Sequence, residues 1–220
     1  MSPPDTPGLF LALEGIEGAG KTTLAQRLSA VFQQAGHASL VVREPGGTPL
    51  GEQIRALLLH PAEPPPAPRT ETLLFSAARA QLVHAVLRPA LAAGQVVIAD
   101  RYAASTLAYQ AFGRGLPLAE VEAVVAFAIE GLWPDLTILL DLDPAVGLRR
   151  KARRSPDRFE QEPLAFHERV RQGYRWLAEA SPERWLVLDA THPPETLIRQ
   201  ILTLIAHRWP RWAVPAAVRL

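Results

Sequence analysis

Residues 15–22 read Gly15-Ile16-Glu17-Gly18-Ala19-Gly20-Lys21-Thr22, which fits the pattern G-x-x-x-x-G-K-[ST]. An apolar run, Leu9 to Leu13, precedes this stretch, and a helical pattern of apolar residues follows it from Lys21 to Ala35. A glycine-rich turn between a strand and a helix lets successive backbone N–H groups point at one phosphate, at the positive end of the helix dipole. The stretch therefore predicts a loop that binds the phosphates of a nucleotide.

Each part of this loop has an expected task. The predicted contacts to the phosphates of the nucleotide are Gly15, Ile16, Glu17, Gly18, Ala19, Gly20, Lys21, Thr22 and Thr23. Lys21 is expected to bridge the β- and γ-phosphates, and the hydroxyl of Thr22 is expected to bind Mg²⁺, which prefers hard oxygen ligands. Glu17 is unusual in a loop that attracts anions, so we expect its carboxylate to face away from the phosphates.

A phosphate-binding loop alone is compatible with a GTPase, an ATP-driven machine or a small-molecule kinase. The sequence contains no asparagine, which excludes the N-K-x-D motif with which GTPases usually read guanine. Motor and AAA-type ATPases normally need more chain than 220 residues. A compact phosphotransferase fits these observations best.

The composition limits the classes of partner. The formal net charge of +1 argues against a protein that coats nucleic acid or an anionic membrane, because those partners favour a strong basic excess. The sequence has no cysteine, which excludes disulfides and thiolate metal sites. Neither a secretory signal nor an apolar run long enough to span a bilayer is evident, so we expect a soluble, cytoplasmic protein.

Alternating strand and helix patterns predict an α/β fold. Strands are expected at Leu9 to Leu13, Ser39 to Arg43, Gln95 to Ala99, Leu136 to Leu140 and Trp185 to Leu188. Helices are expected at Lys21 to Ala35, about Thr48 to Leu59, about Thr70 to Ala93 and Leu118 to Leu132. Right-handed crossovers then give a P-loop NTPase-type five-stranded parallel sheet flanked by helices, with ligands at the carboxyl ends of the strands.

We expect a single domain over residues 1–220. Its expected appendages are a flexible N-terminus at 1–8, a stiff proline-rich loop at 61–68 without assigned function, and an extended tail at 210–220.

Residues 98–110 read IADRYAASTLAYQ, and this segment resembles the signature of thymidylate kinases. Further segments agree in order: REPGGT at 43–48, LFSAARAQ at 74–81, PDL at 134–136 and DRFE at 157–160. The resemblance runs from Leu9 to about Ile205. It implies ATP-dependent phosphorylation of dTMP to dTDP, with Mg²⁺, by a homodimer whose interface could use the helices at 70–93 and 118–132.

The end of the third strand carries an acid and a base. Asp100 can hold Mg²⁺, directly or through water, and Arg101 has a planar fork suited to a phosphate, although the two could also form a plain surface ion pair. The resemblance implies that Arg101 binds the phosphate of the acceptor.

Phe75 and Arg79, four residues apart on a helix, share a face and offer an aromatic plate beside a guanidinium. Core packing is the alternative for Phe75.

The resemblance adds further residues of the acceptor site. It implies that Arg79 contacts O4 of thymine, that Phe75 packs on the ring and that Glu17 accepts a hydrogen bond from the sugar 3′-hydroxyl. Arg43, Glu44, Pro45, Ser105, Tyr109 and Gln110 are expected to border the acceptor nucleoside.

Residues 149–158 contain six basic side chains in ten positions. A solvated charged face is the ordinary interpretation. They follow the fourth strand and its short helix, where nucleoside-monophosphate kinases carry a mobile lid over ATP, so the resemblance instead implies a lid at about 149–162. Such a lid excludes water and delivers positive charge to the transferring phosphate. Thymidylate kinases take this arginine either from the P-loop or from the lid, and the P-loop here has none. Arg153 and Arg154 are therefore candidate catalytic residues, and Arg149 and Arg150 candidate neighbours of adenine.

Two alternatives stay open at this point. One is a kinase for another nucleoside monophosphate or for a deoxynucleoside. The other is a module that senses nucleotides by binding ATP without transferring phosphate.

Overall fold

The computed structural model describes residues 8–60, 64–151 and 157–218. Five strands form one parallel sheet in the order β2-β3-β1-β4-β5. Their bounds are β1 Leu9–Glu14, β2 Ser39–Arg43, β3 Val96–Asp100, β4 Leu136–Asp141 and β5 Trp185–Asp189. The predicted five-stranded parallel sheet is confirmed. Every residue of β1 and β3 is buried because helices cover both faces of the sheet.

Helices occupy most of the remaining described chain. They are α1 Lys21–Gln34, α2 Pro49–Leu59, α3 Pro68–Leu82, α4 Arg88–Ala92, α5 Ala103–Thr106, α6 Leu118–Ile129, α7 Pro144–Lys151, α8 Leu164–Ala180 and α9 Pro194–Arg208. Two π-helical segments, Val83–Leu87 and Leu107–Gly113, join α3 to α4 and extend α5. None of the described helices is long and apolar enough to span a bilayer.

The helix predicted at 70–93 contains a π-helical turn that the sequence pattern did not indicate. The helix begins at Pro68, because proline suits the first helical position, and stops before Gly94, whose φ of 74° reverses the chain. Between them, the widened turn Val83–Leu87 comes just before Pro89. Proline cannot donate its backbone hydrogen bond and crowds the preceding turn, and a wider turn relieves that crowding.

The segment predicted as an extended tail is anchored to the fold. Pro210–Trp212 forms a 3₁₀ turn, and Trp212 is buried edge-on against His37, with ring centroids 5.1 Å apart. A large aromatic ring in this segment is the reason, because its burial offsets the entropy lost on ordering the chain. Residues 1–7, 61–63 and 219–220, which the predicted N-terminus, proline loop and tail include, lie outside the described residues.

The register of the sheet places the candidate site. Leu13 pairs with Asp100 of β3 and with Ile138 of β4, so β1 and β3 end side by side. The loop after β1 and the residues after Asp100 therefore meet at the carboxyl edge of the sheet, where ligands bind in open parallel sheets.

Candidate active site

A cleft of about 570 Å³ lies at the carboxyl ends of β1 and β3. The predicted site residues that line it are Glu17, Gly18, Gly20, Lys21, Thr22, Thr23, Arg43, Glu44, Pro45, Phe75, Asp100, Arg101, Ser105, Tyr109, Gln110 and Arg150. Gly15, Ile16, Ala19, Arg79 and Arg149 are not among its lining residues. Arg153 and Arg154 lie outside the described residues. The structure thus brings most of the predicted donor-side and acceptor-side residues into one cleft.

The phosphate-binding loop packs tightly on α7. Gly18 has a φ of 72°, and a β-carbon there would collide with the carbonyl oxygen of Gly147. Gly147 in turn has no room for a β-carbon, because the carbonyl of Glu17 occupies that space. Paired glycines therefore let the loop lie directly on the helix that leads into the predicted lid.

Lys21 closes the loop on itself. Its Nζ donates to the carbonyl oxygens of Gly15, at 3.0 Å, and of Ile16, at 2.7 Å. Burial and the positive charge of Arg101 lower the pKa of Lys21 to about 7, against the opposing effect of nearby carboxylates. The amine is therefore partly neutral at neutral pH, and a bound anion would favour its protonated, charged form.

Two hard oxygen donors meet beside Lys21. The hydroxyl of Thr22 donates to Oδ2 of Asp100, and both residues line the cleft. A hydroxyl and a carboxylate in contact at the floor of a phosphate cleft fit the ligand preference of Mg²⁺. The residues present are thus compatible with the predicted metal site.

Arg101 sits in a strained backbone conformation, and both Nη atoms of its guanidinium donate hydrogen bonds within the protein. Its φ is 73°, a left-handed conformation that costs a side-chain-bearing residue of the order of 1 kcal/mol. The backbone N–H donates to the carbonyl of Leu13 at 3.0 Å. The left-handed turn aims the side chain back at the loop, where Nη1 donates to the carbonyl of Gly15 at 3.0 Å and Nη2 to Glu17 at 2.9 Å.

Glu14 holds the segment that carries Arg101. This carboxylate is fully buried, and its Oε1 accepts from the backbone N–H groups of Tyr102, at 2.9 Å, and Ser105, at 3.2 Å. Its Oε2 accepts from the hydroxyls of Ser105, at 2.6 Å, and Tyr174, at 2.8 Å. Both hydroxyls also accept from Nη1 of Arg101, at 3.3 and 3.2 Å. Sequence reasoning missed Glu14, because one acid at a strand end gives no separate signal.

The far end of the cleft combines aromatic and unsatisfied polar groups. Phe75 lines it and packs against Phe159, with ring centroids 5.8 Å apart. Arg79 is only 1% exposed and lies behind this wall, where its Nε donates to Glu44 at 2.7 Å. Burial raises the pKa of Glu44, although the positive charge of Arg79 opposes that shift.

Three buried polar atoms at this end lack hydrogen-bond partners within the described chain. They are Nη1 of Arg79, Oε1 of Glu44 and the hydroxyl of Thr106. Thr106 is 1% exposed yet lines the cleft, and sequence reasoning passed over it inside the quoted segment 98–110. Buried polar atoms are normally paired, so these orphans point to a polar ligand edge.

Glu71 joins the acceptor wall to the C-terminal part of the predicted lid. It is fully buried and accepts from Gln110 at 2.7 Å, while Arg158 lies 2.7 Å and Arg114 3.2 Å from its carboxylate. Arg158 also donates to the carbonyl of Leu58 at 2.9 Å. Gln110 therefore lines the cleft as a fixed group. Arg158 belongs to the segment DRFE and to the basic run at 149–158, neither of which predicted this contact, and nothing in the sequence indicated Glu71.

The predicted lid is described at its two ends. Arg150 donates to the carbonyls of Gly18, at 3.3 Å, and Ala190, at 3.4 Å, so its side chain bridges the phosphate loop and the loop after β5. Arg149 is exposed. Lys151 lies 2.9 Å from Glu160 across the lid.

Comparisons with known proteins agree with the resemblance found in the sequence. Residues 13–201 match the family model described as thymidylate kinase. The chain is 56% identical over 202 residues to a thymidylate kinase of Deinococcus radiodurans, covering 91% of this chain and 98% of that one. It is 53% identical over 190 residues to one of Thermomicrobium roseum (86% and 90% covered) and 49% identical over 205 residues to one of Desulfovibrio desulfuricans (90% and 94%). The resemblance read from residues 98–110 is confirmed.

Proposed function

The chain belongs to the thymidylate kinase family, and we propose that it transfers the γ-phosphoryl group of ATP to dTMP, giving ADP and dTDP, a step toward dTTP. One observation carries the proposal: Arg101 Nη1 lies 3.0 Å from the carbonyl of Gly15, to which Lys21 Nζ also donates at 3.0 Å. The cations expected to hold the donor and acceptor phosphates thus share one loop carbonyl. Two phosphates bound to them would face each other at transfer distance.

On the donor side, the loop amides and Lys21 bind the β- and γ-phosphates, with all of residues 15–23 contributing to that cradle. Thr22 and Asp100 would hold Mg²⁺, which neutralises charge on the phosphates when bound. Arg153 or Arg154 supplies further positive charge from the lid, and Arg149 and Arg150 lie toward adenine.

On the acceptor side, Arg101 binds the phosphate of dTMP, Glu17 accepts from the 3′-hydroxyl, and Phe75 packs on thymine. Nη1 of Arg79 and the hydroxyl of Thr106, which have no hydrogen-bond partner among the residues described, support a base-reading role for these two residues. Glu44, Pro45, Ser105, Tyr109 and Gln110 complete the wall.

The acceptor phosphate attacks the γ-phosphorus in line. Its oxygen is already anionic, so no strong general base is required, and no covalent enzyme intermediate forms. Catalysis comes from alignment and from positive charge fixed in advance around the transferring group.

An acceptor panel tests this function. With ATP and Mg²⁺, we expect turnover with dTMP to exceed that with dUMP, dCMP, AMP and thymidine, and ADP formation without acceptor to be near background. A preference for thymidine or another nucleotide would favour a different kinase. The proposal would be contradicted if ADP formed at the same rate with and without an acceptor. It would also be contradicted if no ADP formed with any acceptor.

Binding of ATP should be coupled to proton uptake. At pH 8, Lys21 is mostly neutral in the free protein because its pKa is lowered to about 7, and the phosphates restore its charge. Calorimetric titrations in buffers of different ionisation enthalpy should show the wild type taking up as much as about one proton more than a variant without Lys21 at pH 8, and almost no more at pH 6. A Lys21→Met variant is the control, and equal uptake by it would contradict the assignment to Lys21.

We also propose a homodimer formed through α3 and α6. Phe127 of α6 is 86% exposed and Leu73 of α3 is 58% exposed. An ion pair between Arg69 and Glu120, at 2.9 Å, joins the two helices. Large exposed apolar side chains on neighbouring helices are typical of protein interfaces.

Sedimentation velocity tests the dimer. Phe127→Asp is expected to raise the dimer Kd by about 30-fold or more, whereas Leu164→Asp, at an exposed apolar residue of α8, should leave it unchanged. A wild-type protein that is monomeric at micromolar concentration would refute the proposal.

We propose a single domain for residues 1–220, and a cytoplasmic location, because ATP and dTMP are found there.

A further inference from the structure

His167 is a buried histidine beside the phosphate-binding loop. It lies in α8 and is 1% exposed. Its Nδ1 lies 3.2 Å from Oε2 of Glu17, and its Nε2 has no hydrogen-bond partner in the part of the chain that the structure describes. Burying an imidazole costs free energy unless its nitrogens are paired. The phosphoryl transfer described above makes no use of this side chain.

The two oxygens of Glu17 have different neighbours. Oε1 accepts from Nη2 of Arg101, at 2.9 Å, and from the hydroxyl of Tyr109. Oε2 has no aligned hydrogen-bond donor among the described residues, and its ion-pair contact there is Nδ1 of His167, at 3.2 Å. His167 is thus the described side chain placed closest to act on the second oxygen of the carboxylate.

The charge state of Glu17 suits a hydrogen-bond acceptor. Burial would raise the pKa of Glu17, but His167, the positive charges of Arg101 and Lys21, and the Tyr109 hydroxyl together hold that pKa below its usual range. An ionised carboxylate only accepts hydrogen bonds, so what it reads on a ligand is a hydroxyl or an amine.

We propose that His167 is a positioning residue that fixes the carboxylate of Glu17 and thereby sets the discrimination between acceptor nucleotides with and without a 3′-hydroxyl. The inference rests on the proposed function, in which Glu17 accepts from that hydroxyl. Without His167, the carboxylate is tethered through Oε1 alone. Its free oxygen then samples several rotamers, and the sugar hydroxyl loses a fixed partner.

A pair of variants of equal size separates positioning from packing. Asparagine can place an amide N–H where Nδ1 of His167 stands, and leucine has the same size without a donor. The readout is the ratio of kcat/KM for dTMP to kcat/KM for 3′-deoxythymidine monophosphate. A hydrogen bond to a charged group predicts a wild-type ratio of about 10 to 100.

In His167→Leu the ratio should fall to within about threefold of one, through a higher KM for dTMP at nearly constant kcat. In His167→Asn it should stay within about threefold of the wild-type value. A wild-type ratio that survives in His167→Leu, or an equal loss with both acceptors, overturns the positioning role and leaves the proposed function intact. A ratio near one in the wild type would show that Glu17 does not contact the 3′-hydroxyl, and this result also overturns the positioning role of His167. Turnover of dTMP in the same assay tests the kinase function separately.

A measurement on the unmodified protein covers the case in which the leucine variant does not fold. With ¹⁵N-labelled histidine, the ring nitrogen signals of His167 should differ between the complexes with dTMP and with its 3′-deoxy analogue. Identical signals in the two complexes would overturn the inference.

Discussion

Replacement of Lys21 by alanine is expected to lower kcat by about two to three orders of magnitude, the usual loss for one preorganised electrostatic donor. The ammonium group lies 3.0 Å from the carbonyl of Gly15 and 2.7 Å from that of Ile16, at the mouth of the loop where the γ-phosphate would lie. Charge develops on that phosphate during transfer, and the loop amides alone cannot match a full positive charge close by.

Single-turnover kinetics measure this loss, because they separate the chemical step from product release. Circular dichroism and thermal unfolding should show a folded variant. A folded Lys21→Ala enzyme that transfers phosphate within about threefold of the wild-type rate would contradict the role given to this residue.

Replacement of Arg101 by alanine is expected to lower kcat/KM for dTMP by about two to three orders of magnitude while changing the affinity for ATP much less. The guanidinium would bind the acceptor phosphate, and it also holds Glu17, at 2.9 Å, and the hydroxyl of Tyr109, at 3.0 Å. Its loss therefore removes one phosphate ligand and loosens two neighbours. Arg101→Lys should recover only part of the activity, since lysine keeps the charge but not the planar fork.

Steady-state kinetics with dTMP varied, together with ATP binding by calorimetry, test this prediction. Arg199→Ala, at an exposed position of α9, is the matched control and should behave as wild type. An Arg101→Ala enzyme with an unchanged KM and kcat for dTMP would show that the acceptor phosphate binds elsewhere.

Local sequence patterns were sufficient to predict the parallel sheet and the phosphate-binding loop. Leu9–Glu14 and Val96–Asp100 are apolar runs next to a glycine or a charged pair, and such patterns follow from burial on both faces of a parallel sheet. Strands that end side by side then bring Lys21 and Arg101 together by topology alone. The resemblance supplied the assignment of acceptor residues such as Phe75, which spacing by itself leaves compatible with core packing.

The supporting groups could not be found in this way, because their partners are distant in sequence. Glu14 contacts Tyr174, 160 residues away, and Glu71 contacts Gln110 and Arg158 from another helix. Each is a single charged residue in an ordinary helix or strand pattern. Tertiary packing decides that these two carboxylates are buried and hydrogen-bonded. Hydrophobic periodicity and secondary-structure propensity are local properties and do not report on such contacts.

The central claim is that one cleft holds two phosphates, one on the Lys21 loop and one on Arg101. Its most direct test is a crystal structure of the protein with a thymidine and an adenosine joined by five phosphates. We expect the phosphates nearest adenosine on the loop amides and Lys21, the phosphate nearest thymidine on Arg101, and thymine beside Phe75. A thymidine end that leaves the cleft, with the Arg101 guanidinium directed away from every phosphate, would contradict the account.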